Sequence, residues 1–167
     1  MCIRDRSERD LKYIIAPHEI GENCNRIKQK IKKRSILFSE IKSNQSKGDF
    51  SCLIIDNIGM LSSLYSYCTL AYVGGGMGKA GLHNTLEPAS FAKPVIIGKN
   101  YKTFDEARIM IKNGGMISVS NYKEFNNSFE KVISNQEELN RMSNSNSDYF
   151  RKQKGAINLI LNHIKNQ

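Results

Sequence analysis

The sequence lacks the cysteine arrangement of a metal site. Cys2, Cys24, Cys52 and Cys68 include no Cys-x-x-Cys pair, and none stands at ligand spacing from a histidine. A zinc site is therefore not predicted. Because Cys52 and Cys68 lie within apolar runs, we expect buried free thiols and a reducing compartment.

Long apolar runs are also missing. No run approaches the roughly 20 residues that a helix needs to cross a bilayer, and residues 1–9 are charged and lack the apolar core of a signal peptide. Residues 1–6, MCIRDR, are similar to a translated transposon-end sequencing adapter. We expect these six residues to be an artefact outside the fold, and an N-terminal half of the natural protein to be missing.

The length and the net charge of the chain limit the classes of protein to which it can belong. The 167 residues suit one domain, and the hydrophobic 40% occurs in blocks, as is typical of a globular chain. The net charge of +9 favours an anionic partner such as a nucleotide, a phosphorylated lipid or a membrane face, without choosing among them. The densest basic stretch, residues 28–34, is interpreted as a solvated helix face rather than a lipid or nucleic-acid patch.

Short apolar runs alternate with amphipathic stretches along the chain. Strands are predicted over residues 12–16, 35–38, 52–55, 70–73, 94–98 and 116–119, and helices over residues 22–32, 59–68, 83–92, 104–112, 121–134 and 136–164. The Ser/Asn-rich residues 143–146 are the weak point of the last helix. This alternation predicts an α/β fold, a Rossmann-like parallel sheet with helices on both faces. We assign residues 7–135 to that domain and residues 136–167 to a C-terminal helical segment.

Ligands of such sheets bind beyond the carboxyl ends of the strands, and the stretch after the fourth predicted strand combines glycines with several polar side chains. Residues 72–98 read YVGGGMGKAGLHNTLEPASFAKPVIIG. Glycines after a buried strand let the backbone approach a ligand, and the next helix offers N–H groups to an anion. Lys79 could add a charge, Asn84 or Thr85 could cap the helix, and Glu87 could accept hydrogen bonds from ribose hydroxyls. The alternative is an ordinary loop in which Glu87 only complements the helix dipole.

Three motifs resemble the 3-deoxy-D-manno-octulosonic acid (Kdo) transferases, a glycosyltransferase family of two-domain GT-B architecture. The family's Gly-Gly, His-Asn-x-x-Glu-Pro and Pro-Val occur here from Gly74, His83 and Pro94. Its Asp-x-x-Gly followed by Leu-Tyr occurs from Asp56, and IAPHE from Ile15 is similar to its Ala-Pro-Arg-His, in a form like that of Bacteroidetes-type bacteria. The resemblance covers most of residues 11–135 and implies the C-terminal, donor-binding half.

The resemblance also implies partners and roles. The donor would be CMP-Kdo and the acceptor a lipid A precursor, in lipopolysaccharide biosynthesis at the cytoplasmic face of the inner membrane. Membrane association would be peripheral, the part encoded here soluble, and no metal, cofactor or nucleic acid is expected. The catalytic base is a Glu of the family's N-terminal domain, so neither Glu19 nor Glu87 takes that role and this chain alone should be inactive. The implied donor-binding residues are His18, Gly59, Gly74, Gly75, Lys79, His83, Asn84 and Glu87.

Two positions depart from the family pattern. Met60 stands where the family has Glu, so a polar contact near the donor is absent or comes from another residue. His18 stands where Arg is common, which leaves the phosphate contact of that Arg open. His18 either binds the donor or only caps the next helix, and Asp56 is interpreted as an organiser of its turn.

Two other functions stay open. A GT-B enzyme that uses a UDP-sugar, such as a GlcNAc transferase or a 2-epimerase, would share the Glu after a Gly-rich loop but prefer UDP to CMP. A non-enzymatic basic domain that binds RNA or acidic lipid would lose affinity steeply with salt and would not select a nucleotide. Finally, Ala156, Leu159 and Ile160 form part of an apolar stripe that we expect to be exposed or mobile without an N-terminal half.

Overall fold

The structure, a computed structural model, describes residues 11–42, 49–78, 81–153 and 163–164. The chain divides into two compact units, Met1–Leu61 and Ser62–Gln167. Each unit contains a three-stranded parallel sheet, and helices follow the strands along the chain. The predicted α/β, Rossmann-like class is therefore confirmed.

The sheet of the first unit has the strand order β1-β3-β2. Its elements are β1 (Tyr13–Ile15), α1 (Glu22–Lys30), β2 (Ser35–Leu37), α2 (Phe38–Lys42) and β3 (Cys52–Ile54). Cys24 and Ile27 of α1 lie on one helical face, together with Ile31 just after it, and pack against Cys52 and Ile54. The core of this unit therefore lies between α1 and one face of the sheet.

The sheet of the second unit has the order β4-β5-β6. Its strands are β4 (Ala71–Val73), β5 (Val95–Gly98) and β6 (Met116–Val119). Its helices are α4 (Leu86–Ser90), α5 (Asp105–Asn113), α6 (Tyr122–Ile133) and α7 (Gln136–Gln153). The short helix α3 (Leu61–Tyr65) begins at the last residue of the first unit. Val95 and Ile97 of the central strand pack with Met110 of α5, whereas Ile96 packs with Phe125 of α6. Because side chains alternate along a strand, helices cover both faces of this sheet.

The C-terminal helix α7 runs without a break through the predicted weak point at residues 143–146, so that interpretation was wrong. The polar side chains there have partners in the fold. Ser145 donates its hydroxyl to the carbonyl of Asn113 at 2.8 Å, and the fully buried Asn146 donates its amide to the carbonyls of Lys93 and Gly115 at 2.8 and 2.9 Å. These bonds offset the low helix propensity of Ser and Asn.

Element boundaries differ from the prediction mainly at short helices. The predicted helices that began at residues 59 and 83 begin at Leu61 and Leu86, and α2 was not predicted. Cys52 is buried as expected, whereas Cys68 is only half-buried, and both are free thiols. The expected C-terminal stripe also includes His163 and Ile164, and these two are its described members; both are exposed, Ile164 with 63% of its surface. Residues 1–6, Lys79 and residues 154–162 lie outside the described residues.

Candidate functional site

The glycines that follow β4 lie against two other backbone segments. Gly75 has a φ of +86°, and a Cβ added there would overlap the carbonyl oxygen of Gly81. A Cβ added at Gly98, the last residue of β5, would overlap the backbone of Gly76. Glycine is therefore required at Gly75 by conformation and crowding, and at Gly98 by crowding alone.

The carbonyl groups of this glycine loop, residues 74–78, are hydrogen-bonded inside the protein. The bonds run from His83 N to Gly74 O (3.2 Å), from Gly78 N to Gly75 O (3.4 Å), from Asn100 N to Gly76 O (2.8 Å) and from Asn100 Nδ2 to Gly78 O (2.8 Å). The loop is thus fixed mainly through its acceptors, at four of its five carbonyl groups, whereas among its donors the N–H of Gly78 bonds within the loop.

The backbone N–H groups of the glycine loop point away from the residues that bind its carbonyl groups. In a planar trans peptide the C=O of one residue and the N–H of the next point in opposite directions. The N–H groups of Gly75, Gly76 and Met77 are therefore directed away from the partners of the preceding carbonyls, and no described residue accepts a hydrogen bond from them. Successive backbone N–H groups in a turn form a concavity that binds anions.

His83 and Asn84 lie next to this loop with different contacts. The exposed imidazole of His83 lies beside Gly74 and Gly75, with Cδ2 3.7 and 3.0 Å from where Cβ atoms would stand. Asn84 Oδ1 accepts the N–H of Leu86 at 3.0 Å, so its side chain holds the start of α4, as predicted.

Glu87 lies in the first turn of α4 and is half-buried. No described residue donates a hydrogen bond to its carboxylate, so its oxygens are available to a ligand. Tyr65 lies within electrostatic range: burial and, after it, the negative charge of Glu87 raise the pKa of its hydroxyl to about 12.

The equivalent loops of the first unit are built differently. His18, beyond β1, is exposed, and Gly59, beyond β3, has a φ of +93° with no atom within 4 Å of an added Cβ. Asp56 accepts hydrogen bonds from the backbone N–H of Ser39, at 3.0 Å, and from its hydroxyl. Its carboxylate therefore holds the start of α2.

Met60, where the resemblance expects Glu, contacts Asn57. The amide of Asn57 donates to Met60 Sδ at 3.0 Å, and Asn57 Oδ1 is buried without a partner in the described part of the chain. A thioether is a weak acceptor. This loop therefore keeps a polar contact at Met60, but a weak one.

The implied donor residues fall into two groups. Gly74, Gly75, His83, Asn84 and Glu87 belong to the second unit, where the first three are in contact and the last two flank the start of α4; His18 and Gly59 belong to the first unit. Asn100, Gly76 and Gly98 were not predicted as site residues, although a Gly at the end of β5 with an Asn two residues later was a readable signal.

The described residues provide no competing centre. Among the described residues, no three His, Cys, Asp or Glu side chains could hold a metal ion together. An open groove between α5 and α7 is lined by Arg141 and Ser145, among others. Glu138 holds the guanidinium of Arg141, and Ser145 is bonded to Asn113, so these polar groups serve the fold.

Comparisons with known proteins agree with the fold. No protein-family model matches the chain. It is 28% identical to the 3-deoxy-D-manno-octulosonic acid transferase of Haemophilus influenzae over 147 residues, which is 86% of this chain and 34% of the relative. It is 30% identical to a bifunctional glycosyltransferase/methyltransferase of Fusobacterium nucleatum over 161 residues, which is 92% of this chain and 25% of the relative. The chain thus spans between a quarter and about a third of these relatives.

A solved structure gives the fold match. The C-terminal CMP-Kdo binding domain of WaaA from Acinetobacter baumannii superposes with a TM-score of 0.67, covering 84% of this chain and 89% of that domain at 14% identity. The fold is therefore that of the C-terminal, Rossmann-like domain of a GT-B glycosyltransferase. Together with the named relatives, the match confirms the resemblance seen in the sequence: the chain is similar in sequence to Kdo transferases and in fold to the C-terminal domain of one of them.

Proposed function

We propose that this chain is the donor-binding domain of an enzyme that transfers Kdo from CMP-Kdo to a lipid A precursor in lipopolysaccharide biosynthesis. The observation that carries the proposal is the glycine loop after β4, where no described residue accepts a hydrogen bond from the N–H groups of Gly75, Gly76 and Met77. Successive N–H groups of this kind can bind an anion such as the phosphate of the donor. The similarity to Kdo transferases supports the identity of the donor.

Within this proposal the phosphate of CMP lies against the glycine loop. The N–H groups of the loop meet the phosphate oxygens, and Lys79 adds a positive charge. Glu87 accepts hydrogen bonds from the two ribose hydroxyls, and Asn84 positions α4 so that Glu87 is presented to them. His83 lies beside the phosphate, and the donor-binding roles of His18 and Gly59 stay predictions from the resemblance.

The reaction breaks the bond between the anomeric carbon of Kdo and the phosphate oxygen of CMP. A bond forms from that carbon to an acceptor hydroxyl oxygen, and the hydroxyl proton passes to a base. Negative charge grows on the departing phosphate, where N–H groups already in place stabilise it. The resemblance assigns the base and the acceptor surface to an N-terminal domain, so this chain contributes binding and leaving-group stabilisation.

The role of Glu87 is tested by calorimetry with CMP. We expect Glu87→Ala to weaken binding roughly ten- to a hundredfold, since losing a charged hydrogen-bond acceptor costs about 1.5–3 kcal/mol. Glu19→Ala, in the exposed loop after β1, is the matched control and should change little. Equal losses in both variants would contradict the assignment, and tighter binding of UDP than of CMP would favour a different GT-B donor.

Activity provides a second test. Incubated with CMP-Kdo and lipid A precursor, the chain alone should form no product, because the proposed base and acceptor surface belong to an N-terminal domain. Clear product formation by the chain would contradict that division of roles.

We further propose peripheral association of the whole enzyme with the cytoplasmic face of the inner membrane, because its acceptor is a lipid. No helix in the described part of the chain is long and apolar enough to span a bilayer. Sedimentation with phosphatidylglycerol vesicles measures how much of the association this domain supplies. Recovery of the domain in the supernatant would assign the association to another part of the enzyme.

A further inference from the structure

One residue joins the glycine loop after β4 to the segment after β5. Asn100 stands two residues beyond Gly98, at the edge where both parallel strands end. Its backbone N–H donates to the carbonyl of Gly76 at 2.8 Å, and its side-chain Nδ2 donates to the carbonyl of Gly78, also at 2.8 Å. Both distances are typical of well-formed hydrogen bonds.

The two ends of the loop differ in what else holds them. Gly76 is buried and packs on Gly98, whose backbone would lie 3.1 Å from an added Cβ. Gly78 is exposed, and no atom lies within 4 Å of an added Cβ. Packing therefore fixes Gly76, whereas Gly78 depends on hydrogen bonds.

Those hydrogen bonds are unequal. The N–H of Gly78 reaches the carbonyl of Gly75 at 3.4 Å, beyond the usual range for such bonds, while its own carbonyl accepts from Asn100 at 2.8 Å. A loop of glycines loses much conformational entropy when it is ordered. Of the two hydrogen bonds that order the outer half of the turn, the one from the side chain of Asn100 is thus stronger than the one from the N–H of Gly78.

We propose that Asn100 is a positioning residue that holds the glycine loop in the conformation that binds the phosphate of the donor. The inference rests on the proposed function and adds a residue to its site. Asn100 acts through the loop: its amide fixes the carbonyl side of the turn, and the N–H groups of Gly75, Gly76 and Met77 consequently face the phosphate. Its effect is therefore confined to ligands that carry a phosphate.

The test compares CMP with cytidine, which lacks the phosphate, by NMR titration of the ¹⁵N-labelled chain. Asn100→Leu keeps a side chain of similar size and removes the donor. We expect the Kd for CMP to rise about five- to tenfold, the effect of one lost hydrogen bond, while the Kd for cytidine stays the same. The amide signals of Gly75, Gly76 and Met77 should also shift in the unliganded variant. Asn127→Leu, at an exposed position of α6, is the control and should change neither Kd.

Each other outcome has a distinct meaning. If Asn100→Leu weakens the binding of CMP and of cytidine equally, Asn100 is a general structural residue. If CMP binding is unchanged, the loop does not need Asn100. Either result overturns the inference, provided that wild type binds CMP more tightly than cytidine. If wild type binds CMP no better than cytidine, the phosphate role of the loop fails, and the proposed function fails with it. Asn100→Ala replaces the leucine variant should that one not fold, and Asn100→Gln, which keeps the amide, should recover part of the CMP affinity.

Discussion

The loops after β3 and β4 both follow the carboxyl end of a parallel strand, yet they are held in opposite ways. After β3, side chains make the contacts: Asp56 binds Ser39, and Asn57 binds Met60. After β4, the loop is held mainly through its own carbonyl groups. The difference matters for binding, because a loop fixed through its acceptors keeps its N–H groups for an anion, whereas the side chains after β3 are already occupied by the fold.

The glycines of the two loops show the same contrast. Gly59 has a positive φ and open space around it, whereas Gly98 and Gly76 approach each other too closely for a Cβ. Glycine at Gly59 serves the conformation of one residue. At Gly98 it serves the packing of two segments, and the shape of the anion site depends on that packing.

The largest expected difference between the two loops is the loss of stability when Gly98 or Gly59 is replaced by alanine. Gly98→Ala should destabilise the second unit by about 3 kcal/mol, because the methyl group meets backbone that cannot rotate away. Gly59→Ala should cost the first unit about 1–2 kcal/mol, the penalty of a left-handed conformation alone. Amide hydrogen exchange at Ile97 and Ile54 reports on the two units separately.

The same samples show whether the crowding matters for binding. Gly98→Ala should also abolish detectable CMP binding, because the glycine loop has to move. Similar losses of stability in both variants, or normal CMP binding by Gly98→Ala, would contradict the packing argument.

A second prediction concerns the opposite edge of the sheets, where the strands begin. In the second unit Asn146 spans the carbonyls that precede β5 and β6, and it is fully buried. Asn146→Ala should destabilise that unit by about 2 kcal/mol, since the carbonyl of Lys93 loses its donor and the carbonyl of Gly115 keeps only the N–H of Val95, at 3.4 Å. Urea unfolding followed by circular dichroism measures the loss. Asn144→Ala, two residues earlier on the exposed side of α7, is the matched control and should leave stability unchanged or slightly higher, because Ala is the better helix former. An equal loss in both variants would contradict the role given to the hydrogen bonds of Asn146.

The sequence predicted the strands well and the site in part. The four apolar residues at 94–97 could only be a buried strand, and β5 is found there. A five-residue helix such as α2 spans too few turns to show a period, so it was missed. The glycines, His83 and Glu87 could be proposed as site residues because they are close together in the sequence, and their roles stay predictions. Asn100 and Asn146 could not be recognised in this way, because their partners lie 22 and 53 residues away and only the fold brings them near.

The smallest expected effect is a pH dependence of stability that is present in the first unit and absent from the second. In the first unit Glu40 Oε1 accepts from Lys28 Nζ at 2.6 Å, and its Oε2 accepts the N–H of Leu37 at 2.8 Å. The hydrogen bond from Lys28, followed by that from Leu37, lowers the pKa of the Glu40 carboxyl below its usual 4.5, although burial and the charge of Asp56 oppose the shift. A folded pKa below the unfolded one stabilises the protein above pH 4.5, and this contribution is lost as the pH falls through the lowered value.

Glu40→Gln should therefore destabilise the first unit at pH 7 by about 1 kcal/mol, the upper range for a partly exposed ion pair. Below pH 4 the difference from wild type should shrink, because the carboxyl of the wild type becomes protonated and no longer pairs with Lys28. Hydrogen exchange at Ile54, corrected for the intrinsic rate at each pH, measures this change. Exchange at Ile97 should show no difference between wild type and variant at either pH, since backbone groups and the amide of Asn100 hold the loop after β4. A pH-dependent difference at Ile97 as large as that at Ile54 would mean that the two units are not stabilised independently, and that the contrast between their loops does not extend to their stability.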